Sequence, residues 1–146
     1  MNEASFYTTD VRSRVRCNLC PHRCSISISQ RGLCGVRENH RGKLYSLVYG
    51  RLIAQAVDPI EKKPLFHFLP GSKSYSIATV GCNLRCLNCQ NFNISQIPRE
   101  RRVILGSSIS PIDVVNAAKR SHCQSIAYTY TEPTIFFEYA FDVAKL

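Results

Sequence analysis

Ser74-Tyr75-Ser76-Ile77-Ala78-Thr79-Val80-Gly81 runs directly into Cys82-Asn83-Leu84-Arg85-Cys86-Leu87-Asn88-Cys89. The first half reads as a strand, and Gly81 ends it. Three thiols then follow at C-x3-C-x2-C spacing on a single loop. Four-iron clusters are usually held by four cysteines, so three thiolates form an incomplete shell that leaves one iron open to a ligand other than protein. A second reading of the same spacing is a zinc knuckle completed elsewhere, by Cys123 or a histidine.

Downstream of this loop the chain has an α/β rhythm. Ser110 suits an N-cap, Pro111 the first helical position and Asp113 the positive end of the helix dipole, while Val114, Val115 and Ala118 fall at helical spacing. One crossover helix is therefore expected before the next strand, Ser125-Ile126-Ala127-Tyr128-Thr129-Tyr130-Thr131. Alternation in that strand puts Ile126, Tyr128 and Tyr130 on one side and Ala127, Thr129 and Thr131 on the other. A helix from Thr134 to Leu146 carries two apolar stripes, Phe136/Tyr139/Ala140/Val143 and Phe137/Phe141/Ala144. So wide an apolar surface needs several neighbours, and two strands cannot close a barrel. The expectation is part of a longer α/β protein.

Upstream, Lys43–Tyr49 and Arg51–Val57 flank Gly50 and read as two strands of a hairpin or bent sheet, followed by a loop marked by Pro59, Pro64 and Pro70-Gly71. Further back, Cys17, Cys20, Cys24 and Cys34 lie among Pro21, Gly32 and Gly35 with little apolar periodicity around them. Four thiolates suit a closed tetrahedral zinc site, and an auxiliary iron–sulfur cluster or transient disulfides use the same residues. His22 is the substitute ligand or a support for one. Three zones result: a cysteine-rich metal-binding zone at 1–42, a β-hairpin and loop linker at 43–72, and an α/β segment at 73–146.

Eight cysteines in 146 residues, with no run of roughly 18 apolar residues and no basic-then-apolar leader, point to a cytoplasmic protein whose thiols bind metal. A formal charge of +9 ordinarily suggests an acidic partner such as nucleic acid. Thiolates on metal reduce that excess, and Arg12, Arg14, Arg16 and Arg23 near the first cysteines read as a solvated basic face; nucleic acid is not favoured. Lys62 and Lys63 read as a charged pair within reach of an anion, His67 as a structural histidine, and lone Cys123 as a small buried residue.

Taken together, Cys82 to Cys89, Cys17-Asn18-Leu19-Cys20-Pro21-His22-Arg23-Cys24, the stretch Asp58-Pro59-Ile60-Glu61-Lys62-Lys63-Pro64-Leu65-Phe66-His67-Phe68-Leu69-Pro70-Gly71-Ser72, and Tyr128-Thr129-Tyr130-Thr131-Glu132-Pro133-Thr134 carry a family resemblance. The chain resembles the radical S-adenosylmethionine (radical SAM) enzymes, and within them the AmmeMemoRadiSam-system enzymes, relatives of pyruvate formate-lyase-activating enzymes. The resemblance extends from Cys17 to about Tyr139 and reaches only the N-terminal part of the family. It implies the first two βα units of a partial (β/α) barrel, with Cys82, Cys86 and Cys89 binding three irons of a [4Fe–4S] cluster.

The fourth iron would bind S-adenosylmethionine, whose reductive cleavage yields a 5′-deoxyadenosyl radical that takes hydrogen from a protein or small-molecule substrate. An electron donor such as flavodoxin or ferredoxin is implied. Glu132, at a strand's carboxyl end, would pair with the methionine ammonium, although this chain has Thr131-Glu132-Pro133 where many members have Gly-Gly-Glu. Helix capping is the other reading of Glu132. Thr129 and Thr131 would offer polar contacts. Asn88 stands where an aromatic residue often holds the adenine, so Asn88 would hydrogen-bond the adenine edge or Phe92 would supply the apolar contact. The alternative function is a non-enzymatic cysteine-rich zinc module that binds protein or nucleic acid.

Overall fold

The computed structural model describes residues 1–146. Its regular elements are β1 (Asn2–Glu3), β2 (Tyr7–Thr9), β3 (Val15–Cys17), β4 (Ser25–Ile26), β5 (Arg37–His40), β6 (Lys43–Ser46), β7 (Arg51–Leu52), β8 (Ala54–Pro59), β9 (Lys73–Ala78), α1 (Phe92–Glu100), β10 (Ser107–Ser108), α2 (Pro111–Arg120), β11 (Ser125–Tyr128) and α3 (Phe137–Lys145). The class is mixed α/β, with several small sheets and three α-helices.

Strand β9 forms the middle of the sheet that matters most. It is buried from Ser74 to Ala78, with Tyr75 and Ile77 in the main core and the small Ser74, Ser76 and Ala78 between them. On one side β8 runs antiparallel to it, Ala54 opposite Ala78 and Asp58 opposite Ser74. On the other, β11 runs parallel, from Ser125 opposite Ser74 to Tyr128 opposite Ile77. A parallel pair needs a crossover, and α1, β10 and α2 make it. The sheet stops at three strands, so β8 and β11 remain its edges and no barrel closes.

Helix α2 starts where the capping pattern places it: Ser110 Oγ accepts from Asp113 N at 3.3 Å, and Val114, Val115 and Ala118 turn into the core. The two aromatic stripes of the last segment separate. Phe136, Tyr139 and Val143 are buried in the main core with Ile77, Val80 and Val114. Phe137 and Phe141 instead stack on each other at 5.6 Å, with Phe6 edge-on to Phe137 at 5.2 Å.

Two expectations are corrected. The crossover holds two helices rather than one, because α1 begins within three residues of Cys89 and continues through Pro98. An internal proline argues against a helix, but Pro98 lies in the last turn, where only the final residues remain to be hydrogen-bonded. Nor do the strands flanking Gly50 pair with each other. Strand β6 pairs back onto β5 through Arg41 and Gly42, both at positive φ as a tight two-residue hairpin turn requires, and β8 pairs with β9. Gly42 therefore lies at the tip of a hairpin whose strands come from either side of the expected zone boundary.

A second, smaller core of Ala4, Val15, Cys17, Ile26 and Leu44 sits beneath the N-terminal strands. What fastens it to the main core is Arg37. Its side chain is only 2% exposed, and Nη2 donates to both carboxylate oxygens of Glu138 on α3, at 2.7 and 2.6 Å. Glu138 also accepts from Ser5 N at 2.7 Å. A buried cation left without its counter-charge costs about 3 to 5 kcal/mol. Glu138→Gln is expected to lower unfolding free energy by about 3 kcal/mol in urea melts. Lys43→Ala, which breaks the exposed pair with Glu3, is expected to leave the urea midpoint unchanged.

Candidate functional site

The loop that follows β9 is pinned at its start by a close backbone approach. Gly81 adopts φ +97°, and a Cβ there would lie 2.5 Å from Val36 Cγ1 and 3.1 Å from the Cys34 carbonyl oxygen, so only glycine fits. Gly81 N donates to Ile94 O at 3.0 Å, and Leu84 N lies 3.4 Å from Cys82 Sγ as a donor. Helix α1 supplies the remaining anchors: Ser95 Oγ lies 3.5 Å from Cys89 Sγ, Gln96 Nε2 donates to Leu84 O, and Arg99 Nη2 donates to Cys82 O. Cys82 is buried, Cys89 half-buried and Cys86 exposed.

This loop lies at the carboxyl end of the parallel β9/β11 pair, the edge at which open α/β sheets collect ligands. Two hydrogen bonds tie the exits of the two strands together: Asn91 Nδ2 donates to Tyr130 O at 2.8 Å, and Thr131 Oγ1 donates to Thr79 O at 3.0 Å. Thr131 is thereby buried and engaged. Glu132 is half-buried and accepts from Thr134 N at 3.3 Å and from Thr134 Oγ1 at 2.6 Å, which is capping geometry for the following short helical turn. Thr129 N donates to Ile77 O and prolongs the parallel ladder. Asn88 is exposed, and Phe92, at the start of α1, is half-exposed.

The four N-terminal cysteines come together from three backbone segments. Cys17 ends β3, Cys20 and Cys24 sit on the following loop, and Cys34 precedes the tight turn at Gly35. All four line one small cavity of about 20 Å³, together with His22. Backbone N–H groups face their sulfurs, Leu33 N lying 3.5 Å from Cys24 Sγ, with Leu19 and Val36 acting on Cys17 and Cys34. Burial nevertheless dominates and pushes the Cys17 thiol up and the Cys34 thiol up to about 11. Neither cysteine group is preassembled: no three His, Cys, Asp or Glu side chains anywhere in the chain stand close enough to hold an ion as they are.

The two cysteine groups are neighbours, which their spacing in sequence does not indicate. His22 Nε2 lies 2.7 Å from Asn83 O. Arg99 Nε donates to Leu33 O at 2.6 Å while Nη2 of the same guanidinium reaches Cys82 O at 3.4 Å. Burial, and then the nearby Arg85, hold the Arg99 pKa below its ordinary value, while Cys34, Cys82 and Cys24 act in the opposite sense. Beside this seam opens a cleft of about 450 Å³ lined by Arg23, Arg31, Arg85, Arg99 and Arg102.

Asp58 was not foreseen as a site residue, yet it gathers four donors. Lys62 Nζ, Lys63 Nζ, Ser76 Oγ and Tyr130 OH lie 2.8, 2.6, 2.7 and 2.8 Å from its carboxylate. The lysines thus serve an internal carboxylate, and Lys63 also lies over the Tyr130 ring at 5.3 Å. The signal was present as an acid four and five residues before a lysine pair. His67 is exposed, and Cys123 is half-buried with Sγ 3.9 Å from Ser121 O.

No family model matches the chain. Nor does any solved structure match it. Among curated proteins, the uncharacterized protein MJ0808 of Methanocaldococcus jannaschii is 46% identical over 146 residues, which is all of this chain and 43% of that protein. The uncharacterized protein MJ0674 of the same organism is 32% identical over 82 residues, 56% of this chain and 19% of that protein. The chain spans less than half the length of these curated relatives.

Burial pushes the Asp58 carboxyl up, but the hydrogen bonds from Lys62, Lys63, Ser76 and Tyr130 outweigh it and hold the group well below the ordinary carboxylate range. A depressed carboxyl stabilises the fold above its unfolded pKa of about 4 and loses that contribution as pH falls toward the folded value. Asp58→Asn is expected to cost on the order of 3 kcal/mol at pH 7. The gap between wild type and variant, followed by urea denaturation, is expected to narrow progressively below about pH 4.

Proposed function

We propose that this chain is the cluster-binding part of a radical SAM enzyme related to the AmmeMemoRadiSam-system and pyruvate formate-lyase-activating enzymes. Cys82, Cys86 and Cys89 would hold a [4Fe–4S] cluster. One observation carries the reading: a C-x3-C-x2-C loop stands at the carboxyl end of a parallel β9/β11 pair, anchored at both ends by hydrogen bonds to α1 and to the exit of β11. The donor set suits the group, since three soft ligands of graded exposure on one loop leave the outward side free for a small molecule. The parallel β9/β11 pair would be the first part of a partial barrel, with the antiparallel β8 flanking it.

When bound, the cluster and S-adenosylmethionine supply one-electron cleavage of the sulfonium and a carbon radical for hydrogen abstraction. The chain's own residues hold and shield. Helix α1 fixes the loop through Ser95, Gln96 and Arg99, and Asn91 keeps its far end on Tyr130. Buried Thr79, Val80 and Thr131 close the sheet side of the site against water. Asn88, exposed beside Cys89, would meet a nucleobase edge, or Phe92 would supply the apolar contact. Glu132 caps Thr134 through Oε1 alone, so its Oε2 would remain available to an ammonium.

A flavodoxin or ferredoxin would supply the electron, and reduced thiols fit a cytoplasmic setting. No helix is long and apolar enough to cross a membrane.

Anaerobic reconstitution with iron and sulfide tests the reading. About four irons and four acid-labile sulfides per chain are expected, with a brown colour bleached by dithionite and an electron paramagnetic resonance signal that shifts on adding S-adenosylmethionine. Cys82→Ala, Cys86→Ala and Cys89→Ala are each expected to abolish that cluster. Unchanged iron content in all three variants would refute the assignment.

A further inference from the structure

We propose that Cys17, Cys20, Cys24 and Cys34 hold a single tetrahedral zinc ion, and that this ion clamps the Gly81–Asn83 segment of the neighbouring cysteine loop. None of the four belongs to the C-x3-C-x2-C loop, so the proposal stands whether or not that loop carries a cluster.

Size favours a small occupant. The four thiols and His22 line one cavity of about 20 Å³, room for about one body of water size. The sulfurs must turn inward for any metal, and a lone ion asks for a smaller displacement than a four-iron cube.

Chemistry agrees with size. Four thiolates on a divalent ion leave two surplus negative charges, which must be offset in place. The surroundings suit that: Leu33 N–H faces Cys24 Sγ, the Leu19 and Val36 N–H groups act on Cys17 and Cys34, and the Arg99 guanidinium, which has no carboxylate partner, acts on Cys34 and Cys24. The strands β2, β3 and β4 also lack the means to fold unaided. Their core is five buried residues, one of them Cys17, and a core that small ordinarily needs a metal or disulfide staple.

Any ion drawing the four sulfurs together also fixes what they touch. Cys34 O and Val36 abut Gly81, His22 holds Asn83 O, and Arg99 spans from Leu33 O to Cys82 O. The loop's first three residues are therefore positioned by the cysteine-rich zone as well as by α1.

Cobalt and zinc titrated into the reduced full chain, free of iron and oxygen, test this. One Co2+ per chain is expected, with the sulfur-to-cobalt charge-transfer and ligand-field bands of a tetrahedral thiolate site, displaced by Zn2+. The spectrum is expected to persist in the C82A/C86A/C89A variant and to be lost in Cys20→Ser and Cys24→Ser. Folding failure is bypassed in wild type: zinc is expected to shield Cys17, Cys20, Cys24 and Cys34, but not Cys86, from alkylation mapped by mass. It is also expected to slow amide exchange at Gly81–Asn83 by about tenfold. Cobalt bands that survive loss of Cys20 and Cys24, or that vanish with the loop thiols, would overturn the site. So would about eight irons with no zinc after reconstitution, because a second cluster would then occupy it. Exchange at Gly81–Asn83 that ignores zinc would overturn the clamp.

Discussion

A guanidinium with 2% of its surface exposed is tolerable only beside a carboxylate, and in this molecule that carboxylate belongs to the last helix. Arg37 on β5 and Glu138 on α3 are 101 residues apart in the chain, and Ser5 N completes the triad from the N-terminus. The pair therefore brings three distant pieces of chain to one point. Two neutral residues could fill the same volume, but they would not dictate which face of α3 meets β5. Orientation is the pair's contribution, since desolvation cancels much of its attraction.

Because β5 and α3 are locked, the turn just before β5 has one place to go. Cys34, Gly35 and Val36 press against α1 and against the backbone at Gly81, where the cysteine loop leaves β9. The proposed zinc site and the proposed cluster loop meet along that line. Cys34 and Val36 belong to the main core, while Cys17 belongs to the small one, so the four N-terminal thiols straddle both. The proposed zinc ion and hydrophobic packing would therefore act on the same few residues. The arginine-lined cleft lies alongside.

Local chemistry was readable where a single residue type decides it. Ser110-Pro111 with Asp113 set the start of α2, and the run from Ser74 to Val80 reads as the strand that forms β9. Partners far apart in sequence were not readable. Strands on either side of Gly50 look like a hairpin, but Arg41-Gly42 forms the tighter turn and captures β6 first. Helix α1 was obscured by Pro98, although Ile94, Ile97 and Pro98 already had helical spacing. The cysteine loop was legible from spacing alone. Its contact with the other four cysteines was not, since it depends on Arg99, His22 and a glycine whose neighbours are fixed only in three dimensions. Asp58 was masked because a buried acid reads from sequence as a solvated one until its four donors are seen together.

The contacts along the junction share one property. His22 meets the carbonyl of Asn83, Arg99 those of Leu33 and Cys82, Asn91 that of Tyr130 and Thr131 that of Thr79. Every acceptor is main chain, so the side chains at Leu33, Asn83, Thr79 and Tyr130 can be exchanged without touching these bonds. Together with Gln96 on Leu84 O, these donors hold the loop and insulate it from most substitutions around them. Exchanges around the rim of the loop therefore leave its floor in register.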